Sequence, residues 1–333
     1  MLEHGGRLLR AARRYGIPPH RWLDLSTGVS PHSWLDERPV HLPRSAWVRL
    51  PEDEDGLAEA AREYYGNDAL PVAGSQAAIQ CLPRLRPPTR VGIISPGYNE
   101  HAHAWRCAGH DVIALPPSVC LEAADEVDVL VLIHPNNPTG TRFDRTRLLD
   151  VHGTLARRGG WLVVDEAFMD ATPEASLAAE THRPGLIVLR SLGKFFGLAG
   201  ARVGFMLACT ELRDALADML GPWTIPGPSR QIAMQALRDV DWQRMQRARI
   251  RADGERLAGL LADAGLKPDG GCVLFQWVCT DQAASLHDAL ARRGILTRLF
   301  EDPPSLRLGL PGPEADWNRL RQALNEIRSG NGE

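Results

Sequence analysis

"VDVLVLIHP", Val127–Pro135, is apolar at every position from Val129 to Ile133 and then turns polar. A short, continuously apolar run of this kind reads as a strand buried on both faces. Six similar runs surround it. "LPVAGS", "RVGIISP" and "HDVIALP" precede it, and "GWLVVDEAF", "GLIVLRS" and "ARVGFMLA" follow. Between them "QAAIQCLPRL", "EHAHAWRCAG" and "DRTRLLDVHGTLARRG" read as helices. Doubly buried strands separated by helices predict an α/β fold with a mostly parallel central sheet covered on both sides. Ligands of such sheets bind beyond the carboxyl ends of the strands. Several of these runs end in Gly, Ser, Asn, Asp or His.

At 333 residues the chain exceeds the size at which one core stops growing, which predicts two domains. The strand–helix alternation breaks at "GPWTIPGPSRQ", Gly221–Gln231. Beyond it come a long amphipathic helix, "GCVLFQWV" as a strand, a helix in "DQAASLHDALARRG", the pair "ILTRLF" and "SLRLGLPG", and a last helix. The expected division is an irregular N-terminal arm over 1–45 packing on the small domain, a large domain over 46–228 and a small α+β domain over 229–333. A net charge of -3 gives no reason to expect a nucleic-acid or membrane partner. No apolar run approaches the ~20 residues of a membrane span, and the N-terminus lacks the apolar core of a signal peptide. Six scattered cysteines without C-x-x-C spacing read as reduced core residues. A cytoplasmic protein is expected.

Only two of the 38 basic residues are lysine, Lys194 and Lys267. Lys194 lies among glycine, leucine and phenylalanine in "SLGKFFGLAGARVGF", Ser191–Phe205. A partly buried lysine can become a neutral amine nucleophile, which arginine cannot. Other strand ends add to it. "VVDEAF" ends in Asp165, a carboxylate costly to bury without a partner. "HPNNPTG" offers Asn137, and "AGSQAA" puts Gly74, Ser75 and Gln76 at a helix start, where backbone N–H groups can hold a phosphate. Ser191 and Arg202 flank Lys194. An amine for a Schiff base, an acid for a ring nitrogen, an amide for a phenolic oxygen and an anion cradle are what pyridoxal 5'-phosphate needs. "HAHAW" puts His101 and His103 two apart, which do not share a helix face, so no metal site is expected.

A serine three before the lysine, an arginine eight after it, Asp165 in "DEAF", Asn137 in "NNPTG" and a late arginine in "LRLGLP" together resemble the fold-type I aminotransferase superfamily of pyridoxal-phosphate enzymes. The resemblance covers nearly the whole chain. It implies that Lys194 carries the cofactor and moves protons, and that Asp165 pairs with the ring nitrogen. Asn137 would meet the ring oxygen and Tyr98 stack on the ring, with Ser75, Gln76, Ser191 and Arg202 holding the phosphate. A homodimer is implied as well. "HGG" at His4 and "WLDLSTGVSP", Trp22–Pro31, resemble the threonine-phosphate decarboxylases of cobalamin biosynthesis, the branch near histidinol-phosphate aminotransferase. The implied reaction removes CO2 from the small molecule L-threonine O-3-phosphate, giving 1-amino-2-propanol O-2-phosphate. Arg307 and Arg298 would bind the substrate's anionic groups, with the backbone near Gly28 and with His4 beside them. Phe168 stands where relatives often have a tyrosine, Leu50 where they carry "YPD", and Gly193 where they carry a serine. A histidinol-phosphate or related aminotransferase is the main rival; a non-catalytic cofactor-binding protein is the other.

Overall fold

The computed structural model describes residues 3–330. Met1, Leu2 and residues 331–333, the ends of the expected arm and small domain, lie outside the described residues. In chain order the strands are β1 (Leu23–Asp24), β2 (Ala69–Val72), β3 (Arg90–Ile94), β4 (Asp111–Leu115), β5 (Val129–Ile133), β6 (Trp161–Asp165) and β7 (Leu186–Ser191). They continue as β8 (Gly204–Leu207), β9 (Gly270–Cys272), β10 (Phe275–Cys279), β11 (Ile295–Leu296), β12 (Arg298–Glu301) and β13 (Pro304–Gly309). The chain divides into two compact units. The larger holds Ser33–Asn137 and Thr141–Arg247; the smaller holds the residues up to His32, Pro138–Gly140 and Ala248 onward.

All seven apolar runs are strands of the larger unit, in the sheet order β2-β8-β7-β6-β5-β3-β4. β4, β3, β5, β6 and β7 run parallel, and β8 lies antiparallel to both β2 and β7. β5 is buried at each of its five residues. Val163, Ile187, Leu189 and Met206 share its core with Ala78, Ile79 and Trp105 from covering helices. Burying one such large side chain stabilises by roughly 1.5–3 kcal/mol, and burial on both faces is why these strands lack polar alternation. The parallel direction brings the carboxyl ends of β3, β5, β6 and β7 to one edge of the sheet.

The smaller unit contains an antiparallel sheet in the order β12-β13-β10-β9 and the helices Ala283–Arg292 and Glu314–Gly330. Three expectations need correction. "GCVLFQWV" is two strands, β9 and β10, joined by a tight hairpin in which Cys272 pairs with Phe275. The N-terminal region is not irregular: it has a helix at Leu8–Tyr15 and a strand, β1, parallel to β11. Ala11 and Ala12 on that helix pack with Trp22, Ala291 and Leu296, while Arg10, Arg13 and Arg14 stay exposed.

The unit boundaries also move, to 32/33 and 247/248. Residues after His32 belong to the larger unit because Trp34 N–H donates to the Phe196 carbonyl at 2.9 Å. Trp34 Nε1 and Arg38 Nε both donate to Asp239 Oδ2, at 3.0 and 2.7 Å. The helix Gly227–Arg238 is held there by Arg230, which meets both oxygens of Asp55 at 2.6 and 2.8 Å. All six cysteines are free thiols, but only Cys120 and Cys272 are buried. Among the described residues no helix is long and apolar enough to cross a membrane.

Candidate active site

β6 ends at Asp165, between Ile133 of β5 and Leu189 of β7. Its carboxylate is 4% exposed, so it needs partners. Ala167 N–H donates to Oδ1 at 3.0 Å, and His101 Nε2 stands 2.9 Å from Oδ2. An ionised carboxylate only accepts hydrogen bonds and has about four acceptor positions. A His101 tautomer with its proton on Nε2 would donate to such a carboxylate, and Asp165 would keep capacity for a ring N–H. Tyr98, the residue capping the helix Asn99–Cys107, packs edge-on against His101 with centroids 6.1 Å apart. Burial, then the charges of Glu100 and Asp165, push its phenol up to about 12.

Gly74 precedes the helix Ser75–Cys81 with φ +71°. A Cβ there would lie 2.6 Å from Arg202 Nη2 and 3.1 Å from Cζ. Glycine thus lets the guanidinium lie against the start of the helix, where N–H groups and helix dipole already favour an anion. Gly204 lets the backbone of β8 approach the helix start, since a Cβ there would fall 2.4 Å from Ser75 N. Arg202 itself has left-handed backbone, φ 54°, a conformation that costs about 1–3 kcal/mol and persists where surrounding structure enforces it. The Gln76 side chain is already engaged: it accepts from Tyr98 OH at 3.0 Å and donates to Glu100 at 3.0 Å. That narrows its expected phosphate contact to the backbone N–H.

Ser191 closes β7, and its hydroxyl accepts from Gly193 N–H at 3.3 Å. Lys194 follows in the loop, half-buried, with Nζ 5.3 Å from the centroid of Phe168. Phe168 thus offers Lys194 a π face and no hydroxyl. Asn137 is half-buried beyond β5; the neighbouring Asn136 is fully buried and donates to the Pro96 carbonyl at 2.9 Å. The cradle at Gly74, the partnered buried carboxylate and the half-buried amine fit pyridoxal phosphate.

The expected substrate residues lie in the smaller unit. Arg307 on β13 stands directly opposite Arg298 on β12. Arg307 is buried, and its Nη2 donates to the Ser26 carbonyl at 2.5 Å; burial first, and then the charge of Arg298, lower it to about 10. Gly28 is buried with φ 63°, and a Cβ on Gly309 would sit 3.5 Å from its nitrogen. His4 is half-buried in the N-terminal segment.

The family model for aminotransferase class I and II matches residues 51–324. The chain belongs to that family. Among its relatives, the threonine-phosphate decarboxylase of Pseudomonas aeruginosa is 59% identical over 97% of both chains. One from Sinorhizobium sp is 42% identical, again over 97% of both. The histidinol-phosphate aminotransferase of Sinorhizobium meliloti, solved in complex with pyridoxal-5'-phosphate, superposes with TM-score 0.84 at 21% identity, covering 99% of this chain and 96% of that one. At that identity the likeness concerns the fold alone.

Two features of this aminotransferase-family site escaped the sequence reading. The sequence offers His101 only as a metal-ligand candidate, and its place three residues after Tyr98, one helical turn on, is the available signal. The second is a buried ion network. Arg190 donates to Glu166 at 2.7 Å and to Asp170 at 2.5 Å. It joins the residue after Asp165 to the residue before Ser191.

Proposed function

We propose that the protein decarboxylates L-threonine O-3-phosphate to (R)-1-amino-2-propanol O-2-phosphate, with pyridoxal 5'-phosphate as cofactor, in the cytoplasmic synthesis of cobalamin. The observation that carries this reading is the 59% identity over 97% of both chains to the Pseudomonas aeruginosa threonine-phosphate decarboxylase. The opposed pair Arg298 and Arg307 supports it, because a substrate with a carboxylate and a phosphate brings an anion for each guanidinium.

Pyridoxal phosphate, when bound, supplies a ring that accepts the electrons of a breaking Cα bond. Lys194 would hold it through the amine and later move a proton at the substrate carbon. Asp165, oriented by His101 and Ala167 N–H, would keep the ring nitrogen protonated. Asn137 would donate to the ring oxygen and Tyr98 cover a ring face. The N–H groups of Ser75 and Gln76, the Ser191 hydroxyl and Arg202 would hold the cofactor phosphate. At about 1.5–3 kcal/mol for each charge-assisted bond, three or four would supply much of the ~8 kcal/mol of micromolar binding. Decarboxylation requires the Cα–carboxylate bond to stand perpendicular to the ring. Arg307 would impose that pose, Arg298 would take the substrate phosphate, and the Gly28 backbone and His4 would adjoin them.

The experiment is to supply threonine phosphate and measure CO2. Glutamate formed from histidinol phosphate and 2-oxoglutarate, without CO2 from threonine phosphate, would overturn the reading in favour of an aminotransferase. Replacing His101 by phenylalanine keeps a ring but removes Nε2. It is expected to lower kcat about 10- to 100-fold, the worth of one hydrogen bond to a charged group, with the cofactor still attached to Lys194. A kcat within twofold of the parent would mean that Asp165 needs no such support. Trp47, Val48 and Leu50, neighbours in the sequence, are 68%, 59% and 62% exposed, apolar surface suited to a second copy of this chain. A homodimer is the corresponding proposal, and a single-chain mass in sedimentation equilibrium would remove it.

A further inference from the structure

Two cations opposed across a strand pair need an explanation. Arg298 and Arg307 are Cα partners in the antiparallel pairing of β12 and β13, and like charges so placed are destabilising. Burial adds to the cost, since it is the first cause lowering both guanidiniums. Such a pair is retained where an anion is to be bound.

The N-terminal segment reaches both arginines. Arg298 Nη2 donates to the Glu3 carbonyl at 2.6 Å. Gly6 N–H donates to Ser26 Oγ at 2.8 Å. A Cβ on Gly5 would stand 2.2 Å from the Ser26 carbonyl, the same oxygen that accepts from Arg307. Ser26 is fixed in turn, because its N–H and hydroxyl both donate to Asp24 Oδ1, at 2.9 and 2.6 Å. The two glycines thus let residues 3–6 lie close to the arginine pair, and the next residue is Arg7. Its Nη1 is 3.7 Å from the Glu3 carboxylate, which also meets Arg10 at 2.8 Å. Arg7 adds its charge to the field on Arg298, where Glu3 opposes it.

We propose that Arg7 is a third substrate-binding cation, taking the phosphoryl group together with Arg298, and that the Glu3 carboxylate is the internal anion this group replaces. The proposal deepens the reading given under Proposed function and rests on it for the identity of the substrate. The exchange is favourable on magnitude. The Arg7–Glu3 pair is 30% and 56% exposed, and an exposed ion pair is worth at most about fivefold in an equilibrium. A charge-assisted bond to a doubly charged phosphoryl group is worth about 10- to 100-fold.

Inorganic phosphate titrated into the holoenzyme by calorimetry tests this without turnover. R7Q is expected to weaken phosphate binding about tenfold or more, and E3Q to tighten it about two- to fivefold. R13Q, with the same charge change in the helix that follows Arg7, should leave it unchanged. R7K should recover part of the loss. With threonine phosphate as substrate, R7Q should raise KM by a similar factor while kcat falls far less. Phosphate affinity unchanged in R7Q, an equal loss in R13Q, or no phosphate binding by the parent protein overturns the proposal. Failure of the parent to release CO2 from threonine phosphate would instead strike the assigned reaction, while the phosphate titration still decides Arg7.

Discussion

Lys194→Ala is expected to lower CO2 release from threonine phosphate by at least about 10,000-fold, because it deletes the covalent nucleophile and a proton carrier at once. The variant should also lose its covalently held visible chromophore. Lys267 cannot substitute, being exposed in the connection before β9 of the smaller unit. Lys194 stands instead directly beyond β7, over Phe168. Borohydride reduction followed by peptide mapping is the matching measurement on the parent protein. A label absent from the Lys194 peptide, or carried by Lys267, would remove the basis of the assigned chemistry.

Arg190→Met is expected to destabilise the fold by about 3–5 kcal/mol, the cost of leaving buried charge without its partner. Arg190 is 2% exposed, and Glu166 and Asp170 are fully buried. Glu166 also accepts from Leu177 N–H at 2.7 Å and from the Ser176 hydroxyl at 2.5 Å, and Arg190 lies over the Tyr65 ring at 4.7 Å. The sign of the pH dependence follows from burial. Burial already raises Glu166 above the usual carboxylate range, with Arg190 the largest opposing influence. Without that cation the folded state holds the proton more tightly still. The penalty is therefore smallest below the ordinary carboxylate pKa and grows as pH rises through and above it. Urea unfolding should show a larger deficit for R190M at pH 8 than at pH 5. Equal deficits at the two values would mean that the carboxylates are not what the arginine stabilises.

The residues expected to hold the cofactor were readable because a parallel sheet sorts its strand ends by topology. Asp165, Asn137, Ser191 and Lys194 each follow an apolar run, and runs that point the same way end at the same edge. His101, the room at Gly74 for Arg202, and Arg190 with its two acids were not readable in this way. Each depends on a side chain meeting another 20 to more than 100 residues away, which no local pattern encodes. The helix in the N-terminal region was missed for a related reason. Its buried face is two alanines flanked by Leu8 and Tyr15, and it gains a core only when Trp22, Ala291 and Leu296 arrive from elsewhere.

The order of strands and helices, the polar residues at the strand ends and the isolation of one lysine among apolar neighbours follow from the amino-acid sequence alone, since burial period and residue chemistry are local properties. Pairing is not local. Only the folded chain decided that Arg298 would oppose Arg307 in register, that residues 3–7 would lie against them, and that His101 would reach Asp165. A one-residue slip in β12 or β13 would turn an arginine to the other face; the β12–β13 hairpin sets that register, and β13 is held in turn by its long-range pairing with β10.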